Sequence, residues 1–304
     1  MMGSEVHAYK RTVELRDGCK IAVHDFGGVG PQLVILHANG FHAWAYVPMI
    51  LHLRESFRCY GIDLRAAGDS DRGTVPLVPK EFGHDVIEII DKLRMRGCCV
   101  FGHSLGGASA LVAQSYDPTL FEAMYLYEAV VTSSKEKEAA YQKESPAQKL
   151  AEMALRRKNA FASAQEAVSH LSKKPPFSRF HDLALQHYVG HGLLRPKGSE
   201  VMSWKCDVKD EAEIFRTFTP MFTDSAKFDR PMSIARGTVA VGAHAHLQEA
   251  AGAMAAMIPS AELKDFEGLG HLGPFEDPEA VARSVLEFFS KLDRQKQYRE
   301  HSRL

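Results

Sequence analysis

Cys98-Cys99-Val100-Phe101-Gly102-His103-Ser104-Leu105-Gly106-Gly107 is the stretch that decides the fold of this 304-residue chain. Its four apolar residues predict a strand buried on both faces, and the small residues that follow Gly107 predict a helix. A strand that becomes a helix within a few residues forces Ser104 into a strained backbone, which nearby glycines make sterically possible. The spacing Gly-x-Ser-x-Gly between strand and helix is typical of a nucleophilic serine lifted out of a sheet edge.

Strands and helices alternate on both sides of this turn. Short apolar runs at 33–36, 58–62 and 123–127 predict further strands, and helical stripes separate them. This alternation predicts an α/β fold, a doubly wound and mostly parallel sheet with helices on both faces. The alternation stops near residue 132 and returns near 226. We therefore expect a core of residues 1–131 and 226–304 and an inserted helical cap of residues 132–225.

Composition excludes several classes of protein. The chain is 45% hydrophobic and 25% charged with a formal net charge of −1, which argues against a partner that is nucleic acid or an anionic membrane. No apolar stretch approaches the roughly 18 residues that a membrane span needs. Five cysteines without zinc-like spacing indicate reduced thiols and a cytoplasmic protein. The final Ser302-Arg303-Leu304 differs by one conservative step from a peroxisomal address, so the peroxisome is the alternative location in a eukaryote.

A serine hydroxyl is a weak nucleophile and needs a base. The chain has 15 histidines, of which His271 stands out by its position. It lies in the glycine-rich segment 268–274, after the last predicted strand and before the last predicted helix. We therefore predict His271 as the base, with no cofactor or metal and with a small-molecule substrate as the partner. The oligomeric state stays open.

These segments together resemble the α/β-hydrolase fold family over nearly the whole chain. The matching pieces are the serine turn, Gly270-His271, the loop 36–41 (Leu-His-Ala-Asn-Gly-Phe) and the segment 63–70 (Asp-Leu-Arg-Ala-Ala-Gly-Asp-Ser). The resemblance implies that the amide groups of Leu105 and Asn39 hold the oxyanion, with Phe41 as the rival to Asn39. The sequence departs from the family pattern in two places. Ala38 follows the loop histidine, where a glycine is usual, and in the segment 63–70 Ala66-Ala67 replace the usual Gly-His.

The acid that should orient His271 is missing from its usual family position. The family places an aspartate just after the strand that here spans 232–235, yet no Asp or Glu occurs between Asp229 and Glu249. Glu128 ends the apolar strand after the serine turn, and carboxyl ends of parallel strands gather functional groups at one sheet edge. The segment 127–131 is similar to the strand end of some haloalkane dehalogenases and coelenterazine luciferases, which carry their acid there. We therefore predict Glu128 as the acid.

The chemistry of those relatives does not transfer. Dehalogenases and epoxide hydrolases use an aspartate nucleophile, whereas this chain has Ser104, so Ser-His-Glu predicts acyl transfer from a small or medium apolar ester. Phe41, Tyr46 and Trp204 are predicted to contact the substrate. Three alternatives remain at this stage: a C–C hydrolase or lactonase, a cofactor-free lyase or oxygenase, and a non-catalytic small-molecule-binding protein of this fold.

Overall fold

The computed structural model describes residues 6–130, 146–217, 228–239 and 245–301. Within these residues the central element is an eight-stranded sheet of order β1-β2-β4-β3-β5-β6-β10-β11, and a second sheet has the order β7-β9-β8. The strands are β1 (Tyr9–Glu14), β2 (Lys20–Gly27), β3 (Gln32–Leu36), β4 (Arg58–Ile62), β5 (Cys98–His103), β6 (Phe121–Tyr127), β7 (Ala160–Phe161), β8 (Leu193–Leu194), β9 (Met202–Trp204), β10 (Met232–Gly237) and β11 (Ala261–Phe266).

Helices cover both faces of the large sheet. They are α1 (Val47–Leu53), α2 (Pro79–Lys92), α3 (Leu105–Tyr116), α4 (Pro146–Arg156), α5 (Ala164–Leu171), α6 (Asp182–Gly192), α7 (Val208–Thr217), α8 (Ala245–Met257), α9 (Gly273–Glu276) and α10 (Pro278–His301), with short 3-10 helices at Ala43–Tyr46 and Phe177–Arg179. Apolar side chains of α2, α3 and α8 pack in one large buried cluster, and those of α1 and α10 pack in a second. The fold class predicted from the sequence is confirmed.

The direction of the strands brings the candidate residues together. Only the β1–β2 and β2–β4 pairs are antiparallel in this sheet, and every other pair is parallel. The carboxyl ends of β3, β5, β6 and β10 therefore meet at one edge. The antiparallel strands β1 and β2 form a hairpin around Asp17-Gly18.

Residues 146–217, which we call the cap segment, connect β6 to β10. They form helices α4 to α7 and the small sheet, in which β9 pairs antiparallel with both β7 and β8. The predicted cap boundaries at 132 and 225, and the tripeptide Ser302-Arg303-Leu304, lie outside the described residues. No helix within the described ranges is both long enough and apolar enough to cross a membrane.

Candidate active site

Ser104 lies between β5 and α3 in a strained conformation. Its φ of 54° and ψ of −114° fall in a region that residues with a side chain rarely adopt. Hydrogen bonds hold the backbone there: the Ser104 amide donates to the Tyr127 carbonyl at 3.0 Å, and the Val130 amide donates to the Ser104 carbonyl at 3.3 Å. The serine is therefore fixed by the end of β6, the strand that Glu128 directly follows.

Glycine is required on both sides of Ser104 because the chain passes close to itself. A Cβ on Gly102 would stand 2.6 Å from the Gly107 Cα, and one on Gly106 would stand 2.2 Å from the Leu36 carbonyl oxygen. The second approach seats the start of α3 against the end of β3. Because the loop of residues 37–41 leaves β3 at this point, the first free amides of α3 come next to that loop.

His271 links Ser104 to Glu128. Its Nε2 lies 3.1 Å from Ser104 Oγ, and its Nδ1 lies 2.8 Å from Glu128 Oε2. The Glu128 side chain is 1% exposed, and its other oxygen, Oε1, accepts a hydrogen bond from the Gly237 amide at 2.8 Å. Gly237 ends β10, where the family usually has its acid. This strand end therefore contributes an N–H group that holds the acid of β6.

Two buried side chains anchor the loop that carries His271. The Tyr127 hydroxyl donates to the Gly270 carbonyl at 2.9 Å, and burial raises the pKa of Tyr127 far above its ordinary value. His103 Nε2 lies 2.8 Å from the His271 carbonyl oxygen, which can only accept, so Nε2 carries the proton. His103 Nδ1 then accepts from the Tyr46 hydroxyl at 2.8 Å. The backbone of His271 is thus tied to the core beneath it.

The loop after β3 carries the two candidates for the second oxyanion donor, the backbone amides of Asn39 and Phe41. The Phe41 amide donates to the Ala38 carbonyl at 3.1 Å, and the Ala38 amide donates to the Tyr46 hydroxyl at 3.1 Å. The Asn39 amide donates to no backbone acceptor within the described ranges. Its side-chain Nδ2 donates to the Glu211 carbonyl of α7 at 3.0 Å, which ties the loop to the cap segment. The geometry favours Asn39 over Phe41.

His37 fixes the start of this loop as a neutral side chain. Its Nε2 accepts from the Leu64 amide at 2.8 Å, so Nδ1 carries the proton and donates to the Ala38 carbonyl at 2.8 Å. Complete burial lowers the pKa of His37 from 6.5 to about 4. Protonation would place a charge in the core and would remove the acceptor that Leu64 needs.

This pKa predicts a loss of stability in acid. Between pH 6.5 and 4 the unfolded chain binds a proton at His37 that the folded chain does not, so the stability contributed by neutral His37 is lost as the pH falls. The full loss is roughly 3 kcal/mol by linkage. Denaturant unfolding of wild type and His37→Gln should therefore show a stability difference that shrinks from pH 7.5 to 4.5. A difference that stays constant over this range would contradict the assignment.

A cavity of about 230 Å³ opens in front of Ser104 and His271. Its wall is mostly apolar and comes from the loop after β3, from α4 and α7 and from the turn near the second 3-10 helix; it includes Phe41, Leu150, Met153, Phe177, Tyr188 and Phe215. Of the described residues in this wall, the Arg and Glu side chains are those of Arg157 and Glu211. In the described part of the chain, no group of three or more His, Cys, Asp or Glu side chains is arranged to hold a metal ion.

Two of the three predicted substrate contacts do not line this cavity. Phe41 lies in its wall, whereas Tyr46 is fully buried beneath the loop after β3 and holds Ala38 and His103. Trp204 lies behind the wall, stacks on Tyr188 at 4.9 Å between ring centroids and donates from Nε1 to the Lys158 carbonyl. In the described part of the chain, Tyr46 contacts the loop residue Ala38 and Trp204 contacts the wall residue Tyr188.

The sequence did not single out Gly237, Arg157 or Glu211. Gly237 acts through its backbone, which carries no residue-type signal. Arg157 and Glu211 occur in charged helical segments, a pattern typical of solvated surface. Only the packing of the cap segment places them in the cavity wall. A carboxylate and a guanidinium that are each about nine-tenths buried are uncommon unless they pair, which is a structural signal rather than a sequence signal.

Comparison with known proteins identifies the family. A model of the alpha/beta hydrolase family matches residues 33–284. The chain belongs to this family. It is 23% identical over 291 residues to an uncharacterised protein of Mycobacterium tuberculosis, covering 93% of this chain and 79% of the relative.

Two solved structures share the fold. One is an E-2-(acetamidomethylene)succinate hydrolase with a TM-score of 0.71 and 17% identity, covering 93% of this chain and all of the other. The other is a malate-bound thermophilic esterase from Thermogutta terrifontis with a TM-score of 0.65 and 20% identity, covering 94% and 98%. At these identities the likeness shows the fold alone.

Proposed function

We propose that this alpha/beta hydrolase is a serine hydrolase that cleaves small or medium, largely apolar esters through an acyl-enzyme. The observation that carries the proposal is the hydrogen-bonded series from Ser104 Oγ through His271 to Glu128, at 3.1 and 2.8 Å. Each group has the partner that its role needs: the nucleophile has a base, and the base has a buried carboxylate.

The first half of the reaction follows from this geometry. Ser104 Oγ attacks the ester carbonyl while its proton passes to His271 Nε2. Glu128 accepts the hydrogen bond from Nδ1–H and stabilises the imidazolium that forms. The amides of Leu105 and Asn39 donate to the oxyanion, and His271 then gives its proton to the leaving alcohol.

The second half repeats these steps with water in place of the serine. His271 removes a proton from a water molecule that attacks the acyl carbonyl, and the bond to Ser104 Oγ breaks as the proton returns to this oxygen. The mostly apolar wall of the cavity suits an acyl chain of modest length, because binding such a chain removes apolar surface from water.

Labelling with a fluorophosphonate tests the proposal. This probe forms a covalent bond with a serine that is activated by a base, so we expect one equivalent on Ser104 and loss of esterase activity in parallel. Heat-unfolded protein is the control and should take up no label. Peptide mapping that places the label on another serine, or active protein that stays unlabelled, would contradict the assignment.

A further inference from the structure

Among the described residues, the mostly apolar wall of the cavity contains one ion pair, formed by Arg157 after α4 and Glu211 in α7. Arg157 Nη2 lies 2.8 Å from Glu211 Oε2, and the two side chains are 13% and 11% exposed. Ion pairs this deep are costly to desolvate, and a mostly apolar wall could be built without one. The two residues therefore call for an explanation in terms of what enters the cavity.

The Arg157 guanidinium contacts several groups of the protein itself. Its Nη1 donates to the Tyr188 hydroxyl at 3.1 Å and its Nη2 to the Cys206 carbonyl at 3.3 Å, while the Trp204 ring lies 5.1 Å from the guanidinium carbon. The Nε atom is buried without a partner, so it is shielded from the cavity as well. The guanidinium is thus held in place, and its charge is balanced by Glu211.

Glu211 has acceptor capacity to spare. A carboxylate offers about four lone-pair positions. Oε2 stands beside Arg157 and is buried away from the cavity, whereas no hydrogen bond within the described ranges reaches the other oxygen, Oε1, of this cavity-lining residue. Burial raises the pKa of Glu211, which reflects how poorly its negative charge is solvated. A buried acceptor of this kind gains considerably from a hydrogen-bond donor.

Glu211 lies next to the loop that carries Asn39, the proposed oxyanion donor. A Cβ placed on Gly40 would stand 2.6 Å from Glu211 Oε1, so this oxygen lies against the loop that bears Asn39. The same loop residue, Asn39, is bonded through its side chain to the Glu211 carbonyl. A group that reaches Glu211 is therefore a short distance from the proposed oxyanion position.

We infer that the substrate carries a neutral hydrogen-bond donor, a hydroxyl or an amide N–H, close to its scissile carbonyl and that Glu211 accepts this hydrogen bond. This inference rests on the proposed serine hydrolase function and specifies its substrate class. A substrate carboxylate would be repelled by the Glu211 carboxylate, because the charge of Arg157 is already balanced. We therefore expect the site to disfavour substrates with a carboxylate at this position.

Three p-nitrophenyl esters of similar size test the inference. The 3-hydroxybutyrate ester has a hydroxyl where the isovalerate ester has a methyl group, and the hydrogen succinate ester has a carboxylate. With each kcat/KM divided by the rate of hydroxide hydrolysis, the hydroxy ester should exceed the isovalerate ester by about ten-fold or more. The succinate ester should be the poorest substrate.

Two variants and a binding measurement complete the test. Arg157→Met/Glu211→Met replaces the pair with apolar side chains, which proteins often tolerate, and should reduce the hydroxy-to-methyl ratio to about one. The control Lys158→Met/Glu166→Met removes an exposed pair of the same cap segment and should keep the ratio. Ligand-observed NMR on wild-type protein should show the same preference for 3-hydroxybutyramide over isovaleramide, independently of turnover.

The outcomes separate this inference from the proposed function. If no ester is cleaved but the hydroxy amide still binds more tightly than isovaleramide, the serine hydrolase proposal fails and the donor subsite stands. The inference is overturned if wild type shows no preference in either assay, or if the preference survives in Arg157→Met/Glu211→Met. It is overturned as well if the succinate ester is the best substrate, because the pair would then act as an anion site.

Discussion

Ser104→Ala should lower kcat for ester hydrolysis by about 10⁶-fold, the scale of loss seen when a serine nucleophile is removed from a triad. The alanine cannot form the acyl-enzyme, so any residual hydrolysis must come from direct attack by water. Stopped assays on purified variant with a p-nitrophenyl ester measure the loss. Circular dichroism should be unchanged, because the hydrogen bonds that hold this turn use the backbone of residue 104.

Ser109→Ala is the matched control for this loss. Ser109 lies in α3, just after the turn, is fully buried and donates from its hydroxyl to the Leu105 carbonyl at 2.7 Å. We expect this variant to lose less than about ten-fold in kcat, since its hydroxyl supports the helix and does not reach the cavity wall. Ser104→Ala protein that keeps more than a hundredth of wild-type turnover would remove Ser104 from the mechanism.

Local patterns were sufficient to predict the part of the site that lies on strand ends. The apolar run of β5, the glycines around Ser104 and the glycine-rich segment around His271 each have a physical reason in the nearby backbone. Parallel strands that end at one edge then bring the residues together, so strand order alone makes their contact plausible before any coordinates are known.

The acid required a different kind of inference. The absence of any carboxylate after β10 excluded the usual position, and the end of an apolar strand then favoured Glu128. The structure places its carboxylate 2.8 Å from His271 Nδ1. The role of Gly237 as its second partner had no sequence signal, since every residue except proline carries the same amide donor.

The wall of the cavity could not be predicted because it depends on contacts between residues that are far apart in the sequence. Arg157 follows α4, Tyr188 lies in α6 and Glu211 lies in α7, so the three meet only after these parts of the cap segment pack. Aromatic residue type was a poor guide for the same reason. Phe41 faces the cavity, whereas Trp204 supports Arg157 from behind it.

The bond from Gly237 to Glu128 determines what a glutamine at position 128 would do. The Gly237 amide can only donate, so it selects the oxygen of the glutamine amide for itself. The glutamine NH₂ group must then face His271 Nδ1, which would have to accept. That arrangement places the proton of the neutral ring on Nε2, toward Ser104, where a base is needed.

Glu128→Gln should therefore lower kcat by about 10⁴-fold while keeping the fold, as the loss of the orienting acid does in the serine-protease triad. Asp229→Asn is the control, since its side chain is 78% exposed and lies outside the cavity wall; it should stay within about two-fold of wild type. Burst kinetics with a p-nitrophenyl ester locate the defect, because the wrong ring tautomer slows acylation and deacylation alike. Near-normal turnover in Glu128→Gln would mean that Ser104 and His271 act as a dyad and that the Glu128 carboxylate serves only to hold the end of β10.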